Sequence, residues 1–201
     1  ESAKRSGRGE ANIEDEIRTL NELIRGLEIV SSTGDKPKTA EKIGTLKKDL
    51  ETGITNFANA VLESEKNIVT SVKEESAEYL MNFLLSFASR IATRERLNIF
   101  TTNYDRIIEF GSELAGLHLI YRFVGTISPI FRSSRLNIDI HYNPPGIRGE
   151  PRYLEGVINF TKLHGSLDWI EKDNTVRRFS LPYGAEDIKT YCQGGSLMIY
   201  P

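Results

Sequence analysis

At Leu97 the spacing of apolar residues in this chain changes from that of helices to that of short strands. Leu97-Asn-Ile-Phe-Thr101 is a brief apolar run of the kind a buried strand needs, and polar Thr102-Asn-Tyr-Asp105 follows it directly. Ile107, Ile108, Phe110 and Leu114 then recur at helical spacing up to Gly116, and His118-Leu-Ile-Tyr121 reads as a second strand. Strand, tight turn, helix and strand in this order make a βαβ unit, which implies a parallel sheet with a right-handed crossover. The expected class is therefore α/β.

Upstream, residues 12–92 read as an all-helical portion. Asn12 is placed to cap a helix whose first turn carries Glu14, Asp15 and Glu16 and whose apolar face is Ile13, Ile17, Leu20, Ile24 and Leu27. Residues 31–38 hold the breakers of a linker. A second amphipathic helix runs through Ile43, Leu46, Leu50, Ile54, Phe57 and Val61. Ser71 with Glu74 forms a capping box for a third, which is expected to bury Leu80, Phe83, Leu84, Phe87 and Ile91.

Residues 97–201 form the α/β portion, interrupted at 123–155 by a proline-rich stretch read as an insertion or lid with a strand at Leu136 to Tyr142. Its Arg132, Arg135, Arg148 and Arg152 are read as a solvated loop rather than a phosphate site. Val157-Ile-Asn-Phe-Thr-Lys-Leu163 resumes strand character, Lys172-Asp-Asn-Thr175 turns a hairpin, and Ser196-Leu-Met-Ile-Tyr200 reads as a closing strand. Neither end of the 201 residues looks like the edge of a finished domain, so the chain is expected to be part of one domain.

Composition narrows the function classes. Lys and Arg number 26 against 28 Asp and Glu, a net charge of -2, which argues against a polybasic nucleic-acid binder. The single cysteine, Cys192, cannot build a disulfide scaffold or a four-thiolate zinc site, and His118 and His141 have no metal-spaced partners, so no metal is expected. No apolar run approaches the ~20 residues of a bilayer span and the first residues lack a signal-peptide core, giving a cytoplasmic expectation without membrane partners.

Ligands in open α/β sheets sit beyond the carboxyl ends of the strands. Two polar segments occupy such positions: Asn103 and Asp105 after Thr101, and His164 with Gly165 after Leu163. Taken singly, Asn103 or Asp105 reads as a helix cap, His164 as a hydrogen-bonded strand-end histidine, Gly165 as a residue permitting a left-handed turn, and Trp169 as core packing. Taken together they set a carboxamide and a carboxylate facing an imidazole across one cleft.

Ile99-Phe-Thr-Thr-Asn-Tyr-Asp105 followed by Lys162-Leu-His-Gly-Ser-Leu-Asp-Trp169 resembles the SIR2-like family, in its branch of bacterial NAD-consuming defence effectors. Asn12-Ile-Glu-Asp15 and Ile199-Tyr-Pro201 also look like pieces of that branch. The resemblance implies a Rossmann-like parallel sheet with NAD as substrate. Asn103 would orient the nicotinamide-side ribose and the attacking water, and His164 would engage the ribose hydroxyls and help proton transfer. Asp105 would contact the nicotinamide carboxamide or hold the loop, Thr101 and Thr102 would line the pocket, and Gly165 and Ser166 would let the backbone approach the sugar.

Three departures qualify this. Thr102 and Tyr104 stand where sirtuins usually have Gln and Ile beside the motif asparagine, the four-cysteine zinc module is missing, and no Gly-Ala-Gly-x-Ser loop is found. The implied activity is NAD glycohydrolysis, used in anti-phage defence by NAD depletion and restrained by a homo-oligomer or partner protein. The alternatives are a non-catalytic module sensing NAD or ADP-ribose and, with least support, a lysine deacylase.

Overall fold

A computed structural model describes residues 12–33, 36–71, 74–88, 96–134, 138–143, 145–146, 149, 152–192 and 196–198, with Arg5 and Gly7 before them. Helix α1 (Ile13–Thr33) starts as its sequence requires. The Asn12 side-chain oxygen accepts the Asp15 N–H (3.0 Å), and Asp15 returns the bond from the Asn12 N–H (3.3 Å). Ile17 and Ile24 are buried against α2 (Lys36–Ser71), and Lys47–Glu28 (2.7 Å) ties the two helices on the outside.

The expected linker at 31–38 is shorter than its composition suggests. Residues 31–33 stay in α1, where the Ser31 and Ser32 hydroxyls bond back to the carbonyls of Glu28 and Ile29 (2.9 and 2.6 Å). Pro37 falls in the first turn of α2, where no backbone donor is required. At 36 residues, α2 spans roughly 54 Å. It continues through Ser71 itself, and α3 (Glu74–Ala88) follows; the side-chain geometry of the expected capping box lies outside the described residues.

The face of α3 differs from the sequence expectation. Leu84 and Ala88 are buried, but Phe83 and Phe87 are 56% and 44% exposed and stack edge-on at 5.1 Å; Ile91 lies outside the described residues. The cause is on helix α4 (Ile107–Leu114), which α3 packs against. A Cβ added at Gly111 would lie 2.6 Å from Leu80 and 2.8 Å from Leu84, so glycine admits those two leucines and sets the contact line along residues 80, 84 and 88. Phe83 and Phe87 are left on its flank.

The βαβ unit forms as read: β1 (Leu97–Thr101), α4 and β2 (His118–Ile120). Its strands are parallel but not adjacent, because β7 (Val157–Lys162) lies between them in the order β1-β7-β2. The chain is thus a mixed α/β protein with a three-stranded parallel sheet.

A second sheet was not legible beforehand. Five antiparallel strands run in the order β10-β8-β9-β4-β3: β3 (Phe123–Val124), β4 (Ile130–Phe131), β8 (Gly165–Lys172), β9 (Thr175–Arg178) and β10 (Ser196–Met198). The hairpin at Lys172–Thr175 is present, with Asp173 and Asn174 at φ 53° and 55°, the left-handed pair of a two-residue turn matched to strand twist. The 123–155 stretch is therefore partly sheet rather than only a lid. Its expected strand at 136–142 reduces to β5 (His141–Tyr142), paired with β6 (Arg152–Tyr153), and residues 135–137 lie outside the described set. Arg96 fastens this ribbon through Asp139 Oδ1 (2.8 Å) and the Ile140 carbonyl (3.0 Å). Of the loop arginines, Arg132 and Arg152 are exposed, while Arg135 and Arg148 are outside the described residues.

The core joins both portions: Ala58 and Leu62 of α2, Tyr104, Leu167 of β8 and Ile188 of α5 (Ile188–Cys192) are buried in one cluster. No helix among the described residues is long and apolar enough to cross a membrane.

Candidate functional site

The polar loops after β1 and β7 leave neighbouring strand ends. Thr101 pairs with Lys162 in parallel register, and the Leu163 N–H donates to the Thr101 carbonyl (2.9 Å), carrying the pairing one step further. Asn103 and His164 each stand two residues beyond a member of that pair. His164 is also where the chain passes from the parallel sheet to the antiparallel one, a change of direction that Gly165 permits at φ 92°.

Within the first loop each residue has a distinct task. Thr101 Oγ1 accepts the Asn103 N–H (3.1 Å), closing a tight turn. Asp105 Oδ1 accepts the Ile107 N–H (3.1 Å), an Asx turn that leads into α4, whose N-cap position is held by Arg106 without a side-chain cap bond. Thr102 and Asn103 are exposed, and no described residue bonds the Asn103 carboxamide. Tyr104 turns inward, edge-on to Phe57 at 5.4 Å, and its hydroxyl donates to Glu14 Oε1 (2.8 Å).

Buried charges hold the loop from below. The Lys162 ammonium donates to Ser166 Oγ (3.0 Å), to the Tyr104 carbonyl (3.4 Å) and to the Asp105 carbonyl, and pairs with Glu109 Oε1 (3.2 Å). The Ser166 hydroxyl donates to the Tyr104 carbonyl (3.3 Å); at 0% exposure it braces the loop instead of facing a cleft. Burial pushes the Glu109 carboxyl above its ordinary value against the opposing pull of Lys162. Its second oxygen has no hydrogen-bond partner among the described residues.

On the other side, Arg106 donates its backbone N–H (2.8 Å) and Nε (3.2 Å) to Glu65 Oε1 and its Nη2 (2.7 Å) to Oε2, and its Nη1 reaches the Leu181 carbonyl (2.9 Å). Burial works against the guanidinium charge, but Glu65 outweighs it and holds the group above its ordinary value. The loop that carries Asn103 is thereby fixed to α2, α4 and β7 at once.

The His164 ring is partly buried. Its Nδ1 lies 3.4 Å from Glu14 Oε1, a close approach that does not reach hydrogen-bond geometry, and its centroid is 6.1 Å from that of Tyr104. Glu14 thus serves both Tyr104 and His164 from the first turn of α1.

Asn103, Asp105 and Thr101 border a groove of about 410 Å³ whose apolar wall includes Phe83, Phe87 and Ile99. His164 is not part of that wall. The strand register therefore brings the backbones of the two segments together, while the asparagine faces the groove and the imidazole faces Glu14. His118 and His141 are exposed on separate strands, and no three His, Cys, Asp or Glu side chains among the described residues are grouped to hold a metal.

The sequence reading assigns Glu14, Glu65, Arg106, Glu109 and Lys162 no place in the site. Two of them left a signal: Lys162 interrupts an apolar strand, and Glu65 continues the spacing of Ala58 and Leu62 on the buried face of α2. No protein-family model matches this chain, and no curated protein matches it in sequence.

Proposed function

We propose that this chain carries the nicotinamide-ribose side of a Rossmann-like NAD⁺ glycohydrolase, an effector that depletes NAD in bacterial defence against phage. The observation that carries the reading is the placement of Asn103 and His164 just past the register-paired Thr101 and Lys162. Hydrolysis breaks the bond between nicotinamide nitrogen and the anomeric carbon and joins a water oxygen to that carbon, giving ADP-ribose, nicotinamide and a proton. The bond breaks through an oxocarbenium-like state, so the site must fix the ribose and place the water.

The exposed Asn103 carboxamide, with no partner among the described residues, has both a donor and an acceptor for ribose and water. His164, set beside Glu14, takes the ribose hydroxyls and moves the proton. Thr101, Thr102 and the Gly165 backbone line the approach, and Asp105 and Ser166 act by holding the loop. Activity is held off by self-association or a partner protein.

The test is nicotinamide release by the product of the intact gene, compared with its Asn103→Ala and His164→Ala variants. Loss of release in both, with melting temperature unchanged, is expected. Full turnover in a folded Asn103→Ala protein would overturn the assignment, and ADP-ribose binding without any turnover would replace it with a sensing module.

A further inference from the structure

A second cavity, of about 270 Å³, shares no lining residue with the Asn103 groove, and Lys162, already paired with Glu109, is a cation in its wall. Its walls are Trp169 of β8, Phe131 of β4, Phe160 of β7, Val176 of β9, and Tyr121 with Arg122 just past β2. It therefore opens in the seam between the two sheets, beyond the carboxyl ends of β2 and β7, where α/β folds bind ligands. The aromatic walls are braced from behind: Trp169 packs against Phe123 at 4.9 Å and lies 6.2 Å from Phe131, and Tyr121 meets Phe160 edge-on at 5.6 Å.

The rim supplies the second clue. Arg18, Arg96, Arg106 and Arg178 each have a carboxylate oxygen at 2.7–2.8 Å. Arg122 is also partly buried, yet no described carboxylate pairs with it. An arginine without a counter-ion beside an aromatic slot matches a ligand that brings its own negative charge. The volume falls just below the ~300–1,000 Å³ of ordinary ligand pockets, which suits one or two rings and excludes a dinucleotide.

We propose that this cavity is a binding site for a small planar aromatic carboxylate, its ring packed on the aromatic wall of Trp169 and Phe131 and its carboxylate at Arg122. Trp169 is the chain's single tryptophan, so one indole N–H signal in a nitrogen-proton NMR spectrum reads this site alone. With 2-naphthoate as probe, that signal should move saturably, and the neutral analogue 2-naphthalenemethanol should bind at least tenfold more weakly. Arg122→Gln should lower naphthoate affinity to that of the alcohol while leaving the alcohol unchanged. Val176→Phe, which fills the cavity, should abolish binding of both without lowering the melting temperature. No saturable movement of the Trp169 signal, equal affinity for the two probes, or unaltered naphthoate binding in Arg122→Gln or in folded Val176→Phe would overturn the proposal.

Discussion

Glu14 Oε1 lies 3.4 Å from His164 Nδ1 and accepts the Tyr104 hydroxyl at 2.8 Å, so the first turn of the N-terminal helix reaches into the strand-end cluster of the α/β portion. The all-helical portion thus contributes to the site as well as to the core. A carboxylate this close to Nδ1 limits the orientations open to the ring.

If the chain acts as the proposed hydrolase, Glu14→Ala in a polypeptide that also carries the phosphate-anchoring segment should therefore lower nicotinamide release about 100-fold, the lower end of what a positioned acid-base group supplies. Tyr104→Phe is the control. It removes the hydroxyl bond to Glu14, a loss of about 1 kcal/mol in stability, but leaves the carboxylate beside His164. Steady-state turnover and urea unfolding on both variants separate the two effects; equal turnover losses would remove Glu14 from the positioning role.

The two polar residues of the β1 loop should respond oppositely to truncation. Asn103 is exposed and no described residue bonds its carboxamide, so Asn103→Ala should leave unfolding free energy within about 0.5 kcal/mol. Asp105 accepts the Ile107 N–H, so Asp105→Ala should remove about 1 kcal/mol, the worth of one such hydrogen bond. Denaturant titrations measure both, and a destabilised Asn103→Ala would mean that the carboxamide is structural.

Which parts of this arrangement were readable in the sequence follows from the range of the forces involved. The β1–α4–β2 unit and the Asp173–Asn174 hairpin rest on local signals: a short apolar run, Gly116 at a helix end, and two residues that tolerate φ near +55°. The exposed face of α3 was not readable because Gly111, far along the chain, decides which leucines approach. Two-residue strands such as β3 and β4 carry too little pattern to be seen. Glu109 looks like a surface residue until Lys162 is placed beside it, whereas Lys162 and Glu65 show their burial in the apolar spacing around them but not their partners.

Lys162 and Glu109 form a buried pair whose disruption leaves a charge without compensation. Lys162→Met should destabilise the fold by about 3–5 kcal/mol, and adding Glu109→Gln should recover part of that loss. The pair also predicts a pH dependence. Burial raises the Glu109 carboxyl in the folded state, so the folded protein holds this proton more tightly than the unfolded chain, and the stability gained from it is greatest at low pH. The advantage of the natural chain over Glu109→Gln should therefore be largest below the ordinary carboxyl value of 4.5 and shrink as pH rises towards the raised folded value. Urea midpoints between about pH 4 and 8 check the sign; an advantage that grows with pH would mean Lys162 dominates.

The last expectation concerns what these 201 residues do unaided: they should release no nicotinamide from NAD. Hydrolysis requires the ribose to be held in a near-attack position, and in dinucleotide sites that hold depends on anchoring the pyrophosphate with backbone amides of a glycine-rich loop at a helix N-terminus. No glycine-rich loop of that pattern occurs in the sequence, and the two cations that hold the loop, Arg106 and Lys162, are already paired with Glu65 and Glu109. Among the described residues β1 pairs only with β7, and its Phe100 is 64% exposed next to the groove wall of Phe83 and Phe87. Parallel strands are normally paired and covered, so this edge is where a phosphate-anchoring strand and loop would join the sheet. Nicotinamide release at millimolar NAD should be absent for the 201-residue chain and should appear when such a segment is supplied in the same polypeptide. Robust release by the chain alone would show that the Asn103 loop and His164 hold the ribose without a pyrophosphate anchor.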